Sequence, residues 1–225
     1  MDLVPPQHLM QRLVSALHAS GAQDTLRALH INAERRWIIS RKTMAPLLSL
    51  RNLTTLSIRT RCHPHPCPFH LSDADIAQLA SSLRKLEVLI LGGSRCTNPP
   101  PRFTMDSLFS LSAYCTSLLR LEVHFNAPQS RIFDRPASTT DEGRVRIEDI
   151  LSRTKNLNLR RLYVHDLPFP TVPNSVGIMT YFLIHLFPSL EDITWIDGIS
   201  DSWKETQHGI QAWQAFRRIT VPAGT

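Results

Sequence analysis

The chain has 225 residues, 42% of them hydrophobic and 20% charged, with 25 Lys+Arg against 19 Asp+Glu for a net charge of +6. These proportions belong to a folded chain with a buried core and exclude wholesale disorder. The basic balance permits an acidic partner, but the longest cationic runs are pairs (Arg35-Arg36, Arg84-Lys85, Arg160-Arg161, Arg217-Arg218), too short for a polybasic nucleic-acid patch.

Taken in chain order, "PQHLMQRLVSALHASG" sets Leu9, Leu13 and Leu17 on one face and stops at Gly21, which predicts a leading helix within residues 1–20. The hexamer "LRALHI" (Leu26, Leu29, Ile31) follows, and then "LTTLSI" (Leu53, Leu56, Ile58). The last two apolar positions of each alternate with polar ones, as in a short strand with one buried face. "SDADIAQLASSL" opens on an S-x-x-D cap at Ser72 and continues with Ile76, Leu79 and Leu83 at helical spacing. It leads into "LEVLIL" (Leu86, Leu89, Leu91) and the strand-exit turn "LGGS". "TMDSLFSLSAYC" carries Leu108, Leu111 and Cys115 at the same spacing and leads into "LLRLEV" (Leu118, Leu121, Val123).

Residues 126–143, rich in Pro, Ser, Thr and charge, read as an inserted loop. A helix is expected at "VRIEDILSRT" (Ile147, Ile150, Leu151) ahead of "LRRLYV" (Leu159, Leu162, Val164). "SVGIMTYFLIHLF" (Met179, Phe182, Leu183, Leu186) precedes "LEDITW" (Leu190, Ile193, Trp195). A C-terminal helix over 200–217, with Trp203 and Trp213, is expected to cap the exposed end.

Six hexamers whose first leucines are 27, 33, 32, 41 and 31 residues apart make an internal repeat. Neither the strand nor the helix of one unit can bury its apolar face alone. Stacking them predicts an α/β solenoid of about six irregular helix–strand units in a single domain, 1–225, with parallel strands on the concave face.

These hexamers, with "FHLSDADIAQLASSLRKLEVLILG" (69–92), "AYCTSLLRLEVHFN" (113–126) and "FPSLEDITW" (187–195), resemble the leucine-rich-repeat part of fungal F-box proteins over roughly residues 20 to 200. The resemblance implies protein recognition, most plausibly selection of a substrate for ubiquitin ligation. Docking on the ligase core is expected only if an F-box lies upstream, since residues 1 to 20 do not resemble one. The chain also departs from the standard repeat. The Asn or Cys expected three positions after the last aliphatic occurs only as Asn126; Glu34, Arg61, Ser94, Leu167 and Gly198 stand at the other sites. A ladder of side-chain amides between turns is therefore expected to be absent.

If the flanking aliphatics point inward, the residues between them line the open strand face: His30, Ser57, Ile90, Glu122, Tyr163 and Thr194, joined by Arg59, His124 and His165. This mixture suits a protein contact anchored by Tyr163 and Arg59, with a bare solvated face as the plainer alternative. One arginine against one glutamate matches a phosphate backbone poorly, so nucleic acid ranks second. Arg160-Arg161 reads first as a solvated pair and second as a grip on an acidic partner.

Cys62, His63, His65, Cys67 and His70 have zinc-ligand chemistry, but all fall in one loop interrupted by Pro64, Pro66 and Pro68. The loop is expected to be a stiff connector and to hold no metal; a small zinc-binding protein is the weaker alternative. No G-x-S-x-G, H-E-x-x-H or phosphate-loop motif occurs, so no enzyme activity and no cofactor are expected. The four cysteines are too scattered for a secreted disulfide framework. No signal peptide is read at the start, and the most apolar run, 176–187, is too short to span a bilayer. An intracellular setting, cytoplasmic or nuclear, is the expectation.

Overall fold

Alternating aliphatic and polar residues give a strand two unlike faces, and a face of leucines is stable only against another apolar layer. The computed structural model describes residues 6–33, 37–61, 69–94, 104–123, 156–164, 174–195 and 201–220. Each hexamer supplies a strand: β1 (Ala28–Ala33), β2 (Thr55–Arg61), β3 (Val88–Ser94), β4 (Arg120–Val123), β5 (Arg161–Val164) and β6 (Asp192–Trp195). They form one sheet in chain order, and every pairing is parallel. The protein is an α/β structure.

The register carries the repeat straight across the sheet. Leu29, Leu56, Leu89, Leu121, Leu162 and Ile193 stand side by side, as do Ile31, Ile58, Leu91, Val123 and Val164. All are buried except Leu29 and Ile31 of the edge strand β1, which are half-buried. Leu53, Leu86, Leu118, Leu159 and Leu190, one turn ahead of their strands, are buried as well.

The helices among the described residues are α1 (Pro6–Ala19), α2 (Arg41–Met44), α3 (Asp73–Ser82), α4 (Ser107–Tyr114), α5 (Ser175–Leu186) and α6 (Asp201–Thr220). Ile76, Leu79, Leu108, Leu111, Met179 and Phe182 join the two strand rows in one apolar core, so the helices cover the leucine face. The α3 start is the expected capping box: Ser72 Oγ accepts from Asp75 N–H at 3.3 Å, and Ser72 N–H donates to the Asp75 carboxylate at 2.9 Å.

Two parts of the expected helix pattern need correction. In α1 the buried residues are Met10 and Val14, while Leu13 and Leu17 are half-buried and Leu9 is exposed. The core-facing stripe is thus rotated by about one residue, 100° of helix, from the leucine line. Between β1 and β2 lies an unforeseen helical segment: α2 passes into a 3-10 turn (Ala45–Ser49) where Pro46 sits, burying Met44, Leu47 and Leu50. Proline's missing N–H favours such a break.

Side-chain amides make other ties, ahead of the strands and away from the positions of the standard ladder. Asn156 Nδ2 donates to Cys115 O at 2.6 Å, Asn158 Nδ2 to Thr116 O at 2.7 Å, and Asn52 Nδ2 to Asp24 O at 3.0 Å. These amides tie the turn before one strand to the turn before the preceding one.

At the far edge α6 supplies the same chemistry to β6. Gln207 Oε1 accepts from Ile193 N–H at 2.8 Å, and the Gln207 and Gln214 side-chain amides donate to Glu191 O and Leu190 O. Trp203 and Ile210 are buried beneath, so Trp203 is a core residue. The 126–143 insertion and the helix expected at 145–154 lie outside the described residues. No helix among the described residues is long and apolar enough to cross a membrane.

Candidate binding surface on the open sheet face

A strand whose leucines point to the helices must send the residues between them to the other side. His30, Ser57, Ile90, Glu122, Tyr163 and Thr194 accordingly stand in one register row. Their burial is uneven: His30 is exposed, Tyr163 and Thr194 are half-buried, and Ser57, Ile90 and Glu122 at the centre are buried. The middle of the row is therefore a floor beneath other side chains, and a partner cannot meet it directly. His124 and His165 lie outside the described residues, as do Cys62, His63, His65 and Cys67 of the Cys/His loop. His70 is described, and its backbone N–H donates to Ile39 O at 2.8 Å. Among the described residues no group of three or more His, Cys, Asp or Glu gathers to hold a metal.

Over Glu122 lies an ion-pair cluster. Glu122, 3% exposed, receives Arg59 Nη2 and Arg120 Nη2 on the same oxygen, Oε2, each at 3.1 Å. Arg59 is on β2 and Glu122 on β4, two strands apart, or about 10 Å of sheet. The side chain must cross β3, where its register neighbour is Gly92, which has no side chain to obstruct it. Arg120 Cζ lies 4.3 Å from the centroid of the Tyr163 ring on β5, a cation–π contact worth about 1 kcal/mol at a half-exposed site. A buried carboxylate left unpaired would cost several kcal/mol. Two guanidiniums prevent that here, and the cluster locks four residues of three strands into one arrangement.

The row of the expected set is only part of this face. Two residues earlier on each strand, Ala28, Thr55, Val88, Arg120, Arg161 and Asp192 form a parallel row on the same side. Arg120 is the functional candidate that the hexamer reading passes over, and Arg161 enters it only as half of the Arg160-Arg161 pair, although period-two alternation alone places them beside Glu122 and Tyr163. Arg161 is exposed and makes no ion pair among the described residues. Its register neighbour Asp192 instead accepts a 2.6 Å hydrogen bond from Thr194 Oγ1. Arg160 turns away from this face to an exposed pair with Glu191 at 3.4 Å, worth under about 1 kcal/mol.

Two further titratable groups among the described residues are held within the fold. Cys115 is fully buried, its Sγ facing Ala80 O and Leu83 O at 3.7 Å, and burial pushes its thiol up to about 12. A thiol held neutral in this way is inert. Asp73, raised chiefly by burial, accepts Thr104 N–H and Thr104 Oγ–H at 2.7 and 3.1 Å and anchors the chain leading into α4. No family model matches the chain, and no curated protein matches it.

Proposed function

We propose that this chain is a protein-recognition module of the leucine-rich-repeat solenoid type, which selects a partner on its open strand face and performs no chemistry on it. The observation that carries this reading is the division of one sheet into two faces. One side is a continuous buried leucine layer; the other holds the Arg59–Glu122–Arg120–Tyr163 cluster, fixed before any partner arrives. Pre-organised arginine and tyrosine are the residue types that dominate binding energy at protein interfaces. The repeat spacing and the resemblance to F-box proteins support a substrate-selecting arm of a ubiquitin ligase adapter, with docking on the ligase core only if an F-box lies upstream. Nucleic acid is the second reading, favoured by the three arginines of this face and opposed by Glu122 and Asp192 beside them.

The test is partner capture from cell extract with two double variants. Tyr163→Ala with Arg59→Ala should reduce capture about tenfold or more, as loss of two central anchors does. Gln78→Ala with Ser110→Ala, on α3 and α4, should leave it intact. Capture that follows the helix pair and ignores the strand pair would remove the open-face reading.

A further inference from the structure

The charges of the open face do not balance. Arg59, Arg120 and Arg161 all project there, against Glu122 and Asp192. Glu122 is buried, whereas the side chains of Arg59 and Arg120 remain 52% and 36% exposed and Arg161 is exposed as well. Solvent therefore meets three guanidiniums, while one of the two carboxylates lies hidden beneath them and the other is tied to Thr194. Each of Arg59 and Arg120 makes a single hydrogen bond among the described residues, both to the same oxygen. A guanidinium has five donors arranged as a fork, so both keep further N–H groups for a partner, although Arg120 Nε is itself buried. Arg120 and Arg161 are register neighbours on adjacent parallel strands, which sets their backbones about 4.8 Å apart. Side chains leaving neighbouring backbones on the same side of the sheet lie within reach of one anionic segment.

Resting on the open-face reading above, we propose that the partner segment received here is acidic: a stretch of a protein that lays carboxylates across Arg120 and Arg161 and reaches Arg59. Tyr163, half-buried and in register beside Glu122, carries the Arg120 guanidinium on its ring and holds it in place for this segment. A protein segment fits better than a nucleic-acid backbone for two reasons. Three cations on the described face are few against the six to ten phosphate contacts of a typical duplex grip. On the β1–β3 half of the same face Arg59 stands among uncharged residues, Ala28, Thr55, Val88, Ser57 and Ile90.

The experiment uses the full chain and fluorescence anisotropy at low salt. The probes are a labelled hexaglutamate peptide, a neutral Gly-Ser peptide of equal length and a short oligothymidylate. Hexaglutamate should bind well above the Gly-Ser peptide. Arg161→Gln should weaken it about threefold or more, and Arg59→Gln with Arg120→Gln about tenfold or more. Arg12→Gln, on the exposed side of α1, should have no effect. Arg161 forms no ion pair within the described fold, so its variant tests the idea even if the Arg59/Arg120 variant fails to fold.

Equal binding of the acidic and neutral peptides, or unchanged hexaglutamate binding in Arg161→Gln, overturns the proposal. Oligothymidylate binding more tightly and displacing hexaglutamate overturns it in favour of nucleic acid. If the acidic preference fails while capture from extract still depends on Tyr163, only the acidic partner is lost. If capture follows Gln78 and Ser110, the open-face reading itself is lost.

Discussion

Glu122 and Cys115 are both buried and both ionisable, and their surroundings treat them in opposite ways. Two guanidiniums meet Glu122, whereas Cys115 meets two carbonyl oxygens and an apolar core that disfavours any charge. The thiol's rise to about 12, against 9.0 unperturbed, carries a sign that can be tested. The unfolded chain loses its proton first, so the contribution of Cys115 is intact below pH 9 and is lost as pH climbs from 9 toward 12. Cys115→Ala should cost about 1 kcal/mol at neutral pH, for one buried heavy atom. At a pH of about 10 the wild type should have given up about 1 kcal/mol relative to that variant, closing the gap. Chemical unfolding of both proteins at the two pH values measures it; a constant gap would mean that the thiol titrates alike folded and unfolded. Sequence reading reached Glu122 through its place between Leu121 and Val123. It missed Arg120, which obeys the same alternation, because the alternation was read only from the second aliphatic of the hexamer onward. That Arg59 reaches across β3 depends on Gly92 in a neighbouring unit, and no local pattern discloses it.

At the scale of elements, legibility follows the length of the periodic signal. α3, α4 and α5 each show several apolar residues at helical spacing, and all three form where their sequences place them. α2 has a single turn before Pro46 and so has no period to read. Where elements pack, contact distances decide, and Gly209 is an example. An ideal Cβ built there would lie 2.8 Å from Thr180 Cγ2 and 3.1 Å from Thr180 Oγ1, so α6 approaches α5 at a point where only glycine fits. Within one helix Gly209→Ala should gain about 1 kcal/mol of propensity. Against this stands an overpacking cost of about 1–3 kcal/mol, since a β-branched threonine in a helix has little rotameric escape. The net expectation is a lower melting temperature for Gly209→Ala. Adding Thr180→Ala removes both crowding atoms and should restore the helix gain, giving a coupling of about 1 kcal/mol or more in a double-mutant cycle. Additive effects would mean that the helices part without cost. Gln207 and Gln214, which close the β6 edge from α6, could not be read in advance, because a polar residue on a polar helix face gives no sign of the backbone it will meet.

Over the whole molecule the leucine rows make the units interdependent. Leu121 is flanked in register by Leu89 and Leu162, and all three are fully buried, whereas Leu29 at the β1 edge has a strand neighbour on one side and is half-buried. The six-strand order was legible because the same hexamer recurs in near-constant phase, so that one period fixes both strand number and sequence of stacking. The amide ties before the strands were not, because they answer to backbone carbonyls of the preceding unit. Identical chemistry at different places in such a stack should have different consequences. Leu121→Ala removes a side chain from the middle of the shared layer and should cost about 2–5 kcal/mol. Leu29→Ala should cost less, about 1 kcal/mol, in proportion to the smaller apolar area it buries. A folded domain is stable by only about 5–15 kcal/mol, so the central change consumes a large share of the total. Each unit leans on its neighbours, and the loss at β4 should therefore reach both ends of the sheet. Far-ultraviolet dichroism and tryptophan fluorescence, to which the buried Trp203 of α6 contributes, should shift together to lower denaturant in Leu121→Ala. If the tryptophan signal keeps its wild-type midpoint while the dichroism moves, the two ends of the sheet unfold separately. Equal costs for Leu121→Ala and Leu29→Ala would show that the rows do not form one core.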